Sequence, residues 1–269
     1  MIPPPFAYHL ATSVEDATQA LGSGGEDAKY LAGGMSLIPV LKMRLSAPPL
    51  LVDIGALRDL SYVRVDGDVV RVGALTRHSD IMANPTLREY LPLLSDVAYE
   101  VGDAQVRARG TLGGVLAHAD SAGDYCTVAL MLDAQIVTSS RTIAAADFFQ
   151  GFMTTALAPD ELITEVRFPV MTEGHEYVKF RRRRSDWAII GVGVQRDRDR
   201  YRIGLTNAGA VVSRGLAGEE VLAAGGSARE AARAVADAAT PLADLPAEVE
   251  YKKSLIETLT SQALAKVGA

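Results

Sequence analysis

The sequence predicts an α+β fold, and three observations carry that prediction. Residues 1–55 alternate short apolar runs with helical, glycine-punctuated text, residues 56–172 turn to period-two β patterning around a tight turn, and residues 173–269 run from a β meander into alanine-rich helices. With 269 residues, 48% of them apolar and 22% charged, the chain can bury a large core in one long domain or two modest ones. No low-complexity linker and no tandem repeat interrupts it, so the change near residue 172 reads as a change of architecture within a compact chain.

In the first region, Ser13 stands three residues before Asp16, a capping-box-like start for a helix that sets Val14, Ala17 and Leu21 on one side. Lys29 to Ala32 reads as a short strand entering Gly33-Gly34, an apolar helical run follows from Leu37 to Leu45, and Leu50 to Ile54 closes the unit as a strand. In the second region, Tyr62, Val63 and Val65 face Val69, Val70 and Val72 across Asp66-Gly67-Asp68, the pattern of a hairpin. Helices are expected from Thr76 to Met82 and from Pro92 to Val101, then a second glycine-rich segment from Gly110 to Gly123. Leu162 to Phe168 is a strand of imperfect alternation ended by Pro169. In the third region, Tyr177 to Phe180, Ala188 to Val194 and Tyr201 to Leu205 form an antiparallel meander with a polar turn from Arg196 to Arg200. Helices fill the chain from Gly218 onward, and their small apolar side chains read as packing scaffold.

Composition removes several functions. A net charge of −6, from 27 Lys+Arg against 33 Asp+Glu, leaves no global basic footprint for nucleic acid. One cysteine, Cys126, rules out an intramolecular disulfide and a Cys₄ zinc or iron–sulfur site built by this chain alone. The opening MIPPPFAYHLATS has no positive segment leading into a long apolar one, and no later window approaches a membrane span, so a soluble cytoplasmic protein is expected.

Two segments carry chemistry. Ala32-Gly33-Gly34-Met35-Ser36 lies between a strand and an apolar helical run, where paired glycines let backbone N–H groups converge on an anion and a serine adds a hydroxyl. Neither GxxxxGK[ST] nor GxGxxG is present. Thr111-Leu112-Gly113-Gly114-Val115 repeats the double glycine and leads into Ala117-His118-Ala119-Asp120 and on to Asp124, whose carboxylate suits ribose or ring N–H groups. His118 and Asp120 alone, without a third partner, do not make a metal site.

The pair of loops is more informative than either one. AGGMSLIPVLKMRL followed by TLGGVLAHADSAGD resembles the two signature loops of the FAD-binding medium subunit of molybdenum hydroxylases, the family of carbon monoxide dehydrogenase and xanthine dehydrogenase. The likeness extends over nearly the whole chain, including Tyr177-Val178-Lys179-Phe180-Arg181 to Asp186-Trp187-Ala188. It implies a vanillyl-alcohol-oxidase-type FAD-binding fold, with FAD-binding subdomains over 1–55 and 56–172, both α/β, and a C-terminal sheet-and-helix domain over 173–269 covering the cofactor. The pyrophosphate is expected across residues 32–36 and 111–115. By family position Asp124 hydrogen-bonds the flavin nucleotide, Ile163 offers backbone or apolar contact at the ring, Lys179 lies near the isoalloxazine, and Trp187 either stacks there or is ordinary core.

Two departures bear on affinity. The family commonly has Asn at Val115 and a polar residue at Met35, each loss worth on the order of 1 kcal/mol of net hydrogen bonding. Backbone donors at Gly113 and Gly114 are expected to remain, so weak FAD retention rather than loss is the expectation. Arg181-Arg182-Arg183-Arg184 reads as a solvated turn, as a docking surface for an acidic iron–sulfur partner, or as a positive field near the flavin. Cys126 reads as a buried inert thiol, and His9, His78 and His175 receive no role.

The resemblance implies an electron-transfer subunit of a heterotrimer, assembled as a dimer of heterotrimers. A molybdopterin large subunit hydroxylates the substrate, [2Fe–2S] clusters on a small subunit carry the electrons, and FAD here hands them to an external acceptor. A self-contained flavin oxidase or reductase and a flavin-free scaffold or assembly subunit are the competing readings.

Overall fold

The computed structural model describes residues 2–171 and 174–269; the boundary that the sequence sets at 172/173 lies outside them. Three main sheets follow one another along the chain. The first is parallel, with Leu50–Asp53 between Ala7–Leu10 and Lys29–Leu31. Its central strand is apolar and continuous because Leu51 and Val52 are both fully buried, on opposite faces. Ala7–Leu10 is absent from the sequence reading: Tyr8 and Leu10 are exposed, so this edge strand lacks an inward stripe to announce it. The helix Val14–Ser23 is capped by Ser13, whose Oγ accepts the Asp16 N–H at 3.1 Å. The box does not close, because the Asp16 carboxylate turns back to the Thr12 N–H and the His9 ring.

The second sheet has the order Val63–Asp66, Val69–Gly73, Ile163–Pro169, Gln135–Thr138, Thr142–Ala144, and every pairing in it is antiparallel. The second α/β subdomain implied by resemblance is therefore an antiparallel sheet with helices. Short turns join Val63–Asp66 to Val69–Gly73 and Gln135–Thr138 to Thr142–Ala144, whereas parallel neighbours need a long crossover. The imperfect alternation of the central strand has a cause: the register slips between Ile163 and Glu165, a bulge that re-aims the start of the strand. Helices Pro92–Glu100, Leu112–His118 and Asp124–Met131 cover this sheet and share its core with Leu94, Val97, Leu112, Leu116 and Val128.

The third sheet is the expected meander, His175–Phe180, Ile190–Asp197, Arg200–Thr206 and Ser213–Arg214, followed by helices Leu216–Ala223, Ala228–Ala238 and Val249–Lys266. One face packs on Val235, Ile256 and Leu264 of those helices. The other meets Asp124–Met131: a side chain at Gly204 would stand 2.7 Å from Thr127, and the Thr127 and Thr206 hydroxyls lie 2.6 Å apart. That contact brings His175–Phe180 alongside the start of the Asp124–Met131 helix.

Candidate functional site

All three regions line one cavity of about 770 Å³. Of the residues singled out in the sequence, Ala32, Gly33, Gly34, Met35, Ser36, Thr111, Gly113, Gly114, Val115, Asp124, Ile163, Lys179 and Trp187 all reach it. Leu112 does not; its side chain is fully buried in the core of the second region.

The glycine loops meet there. A side chain at Gly33 would collide with the Arg109 carbonyl and the backbone of Gly110, so the first loop lies directly on the approach to the second. Gly34 follows at φ +73°, a left-handed turn into the helix Leu37–Lys42. Among the described residues, the N–H groups of Gly33, Gly34, Met35 and Ser36 have no protein acceptor, so this loop turns a row of free donors to the cavity.

The second loop is built differently, and here the structure corrects the sequence reading. Segment 74–78 pairs with 110–113: Leu112 donates to the Thr76 carbonyl at 3.1 Å, Gly113 to the Ala74 carbonyl at 2.8 Å, and His78 to the Gly110 carbonyl at 3.1 Å. Thr111 Oγ1 accepts the Gly114 N–H at 3.3 Å as the cap of Leu112–His118. The donors expected to remain at Gly113 and Gly114 are thus spent inside the protein; in the second loop the Thr111 N–H, like the row in the first loop, has no acceptor among the described residues.

Asp124 and Lys179 form a buried ion pair. Asp124 Oδ2 accepts from Lys179 Nζ at 2.8 Å, Asp124 Oδ1 accepts from the Tyr177 hydroxyl at 2.6 Å, and Nζ also donates to the Glu100 carbonyl at 3.1 Å. Burial pushes the Asp124 carboxyl above its ordinary range, while the ammonium and the tyrosine hydroxyl pull it back. Glu161, also on the wall, takes hydrogen bonds from Arg141, Thr138, Ser140 and the Ala158 N–H, with Arg141 foremost in holding its carboxyl down at about 2. It is a structural anion with no spare capacity for chemistry.

Trp187 is 59% exposed at the rim, which removes its reading as core. In the arginine run, Arg181 and Arg184 both pair with Glu100, Arg184 also stacks on Tyr99 at 4.3 Å, and Arg182 donates to the Pro246 carbonyl at 2.9 Å. The one carboxylate of Glu100 is shared between Arg181 and Arg184, so it offsets one of the four charges. Cys126 is buried and burial pushes its thiol up, consistent with an inert group. No cluster of three or more His, Cys, Asp or Glu suited to a metal occurs among the described residues.

Two wall residues were passed over in the sequence. His78 and Tyr125 are buried, their rings 5.1 Å apart, and neither His78 Nδ1 nor the Tyr125 hydroxyl has a hydrogen-bond partner. Neither lies in a motif; the available signal was the adjacency of Tyr125 to Asp124. Free backbone donors, unpartnered polar side chains and apolar walls such as Leu75, Val106 and Leu157 together fit a large, flat, anionic nucleotide.

Residues 4–171 match the family described as the FAD binding domain in molybdopterin dehydrogenase. The chain belongs to the FAD-binding medium subunits of molybdenum hydroxylases. This medium subunit is 36% identical to the carbon monoxide dehydrogenase medium chain of Hydrogenophaga pseudoflava, over 98% of this chain and 97% of that one. It is 35% identical to the 6-hydroxypseudooxynicotine dehydrogenase complex subunit alpha of Paenarthrobacter nicotinovorans, over 99% and 95%. Its fold superposes with a TM-score of 0.93 on the solved carbon monoxide dehydrogenase from Hydrogenophaga pseudoflava that lacks the Mo-pyranopterin moiety, at 35% identity and covering 99% and 98% of the two chains. The medium subunit is thus an FAD-binding oxidoreductase subunit, and among its described residues no helix is long and apolar enough to cross a membrane.

Proposed function

We propose that this medium subunit holds FAD along the cavity and passes electrons from [2Fe–2S] clusters of a small partner subunit, reduced in turn by a molybdopterin large subunit, to an external acceptor. The observation that carries the reading is the row of free N–H groups from Gly33 to Ser36, set against the second glycine loop at the wall of one large cavity. In this reading those donors take the pyrophosphate, and the Thr111 loop acts as the rigid floor that positions them. Bound FAD supplies the ability to accept electrons singly and release them in pairs.

The chain's own residues bind and orient. Lys179 keeps an ammonium N–H beyond its bonds to Asp124 and the Glu100 carbonyl, so it places a positive charge on the wall without leaving Asp124 unpaired. Ile163 presents an apolar surface, and Trp187 stands at the mouth. Choice of the reducing substrate belongs to the partner: relatives of almost equal identity are named for carbon monoxide and for 6-hydroxypseudooxynicotine, which supports selection outside this chain. Assembly as a dimer of heterotrimers in the cytoplasm and a division near residues 55 and 172 complete the proposal.

Purifying the intact complex and measuring its flavin tests the reading. Bound FAD with an absorption band near ~450 nm, retained at least in part through purification, is expected from a bound redox cofactor. Less than about a tenth of a flavin per chain, or full activity from this chain alone, would overturn it.

A further inference from the structure

Two residues that line the cavity carry buried polar atoms with no protein partner. Tyr125 is fully buried and His78 is 1% exposed; each lines the cavity, and the Tyr125 hydroxyl and His78 Nδ1 have no protein partner. An unpaired buried hydroxyl or ring nitrogen loses its bonds to water and gains none in return, so the fold bears a cost at this spot that ordinary packing does not return. The surroundings are built to keep the pair in place. The His78 backbone N–H donates to the Gly110 carbonyl, and a side chain at Gly110 would run into the imidazole, so the ring is wedged beneath the residue that opens the second loop. Tyr125 follows Asp124 in the helix that meets the third sheet.

We propose that His78 and Tyr125 are ligand-binding residues of this cavity, forming a neutral hydrogen-bonding pair that recognises the uncharged hydroxyl-bearing part of the bound nucleotide. The inference rests on the FAD reading and adds two residues and a chemistry to it. Burial, with Arg107 nearby, holds the imidazole down at about 4, and burial raises the tyrosine well above its ordinary range, so both groups are neutral near pH 7. A neutral imidazole offers one donor and one acceptor, and a phenol both gives and accepts; sugar and ribityl hydroxyls match that pattern, whereas a phosphate asks only for donors. The division of labour follows: the first loop's N–H row suits the anionic part of the ligand, and this pair suits its polyol.

The test is the substitution Tyr125→Phe in the intact complex, stripped of flavin and titrated with FAD while protein-bound flavin fluorescence is followed. A hydroxyl that serves the ligand predicts two effects of opposite sign. FAD binding weakens about five- to tenfold, the loss of one net hydrogen bond, while the flavin-free complex melts no lower than wild type because an unpaired buried hydroxyl has been removed. His78→Leu is expected to weaken binding similarly, and His78→Asn, which keeps a polar atom near Nδ1, to restore part of it. FAD affinity within twofold of wild type for both Tyr125→Phe and His78→Leu would overturn the assignment, as would weakening matched by an equal loss of flavin-free stability. A wild-type complex that takes up no FAD would instead overturn the parent reading, and this one with it.

Discussion

The chemistry of the site is concentrated in the pairing of Asp124 with Lys179, two charges almost wholly removed from water. Such a pair costs little when intact and much when broken, since the remaining charge is left without compensation. Lys179→Met is expected to destabilise the protein by about 3 kcal/mol in urea or thermal unfolding, with Asp124→Asn in the same chain recovering much of it. His78 gives a second prediction. Its folded-state proton affinity is depressed, to about 4 from an ordinary value of 6.5, so the unfolded chain binds the proton first as pH falls. Stability attributable to this residue is complete above about pH 6.5 and is lost on descending toward 4, by up to about 3 kcal/mol. The slope of stability against pH in that window should flatten in His78→Asn.

At the scale of elements, the two glycine loops behave as one unit with unequal parts. Gly33→Ala would drive a methyl group into the Arg109 carbonyl, and backbone cannot swing aside as a side chain can. Purified complex carrying this change is expected to have lost most of its flavin and at least about 2 kcal/mol of stability, read by absorbance and by melting. Met35 and Val115, both on the wall, offer no side-chain hydrogen bond, and gradual flavin loss on gel filtration is expected of the wild type, slowed in Val115→Asn. Sequence made these loops legible because double glycines are costly anywhere but at a turn or a close approach. The donors themselves were not legible. That Gly113 bonds to Ala74 depends on a pairing between segments almost forty residues apart, which no local pattern encodes. The same reason hid Ala7–Leu10, whose exposed side chains carry no period, while the buried Leu50–Asp53 announced itself by its apolar run.

Across the whole molecule, the antiparallel second sheet and the meander are joined by the helix Asp124–Met131, and the charge exposed for a partner is smaller than the arginine run suggests. Glu100 holds both Arg181 and Arg184 and offsets one unit of their charge, while Arg182 reaches only a carbonyl and the Arg183 side chain has no partner among the described residues. Reversing both to Glu is expected to weaken assembly of the complex in a salt-dependent manner, whereas reversing Arg184 alone should disturb local stability more than assembly. Co-purification of the double variant at wild-type yield across ionic strengths would remove docking as the role of these residues. The third region also has an optical consequence. The chain's one tryptophan stands at the mouth of the cavity, so its emission is a natural gauge of filling: a flavin settling beside it would drain the excited state by energy transfer. The difference between the emission of the complex and that of its Trp187→Phe variant would isolate this one indole from those of any partner chains, and turn cofactor exchange into something watched in real time without a label.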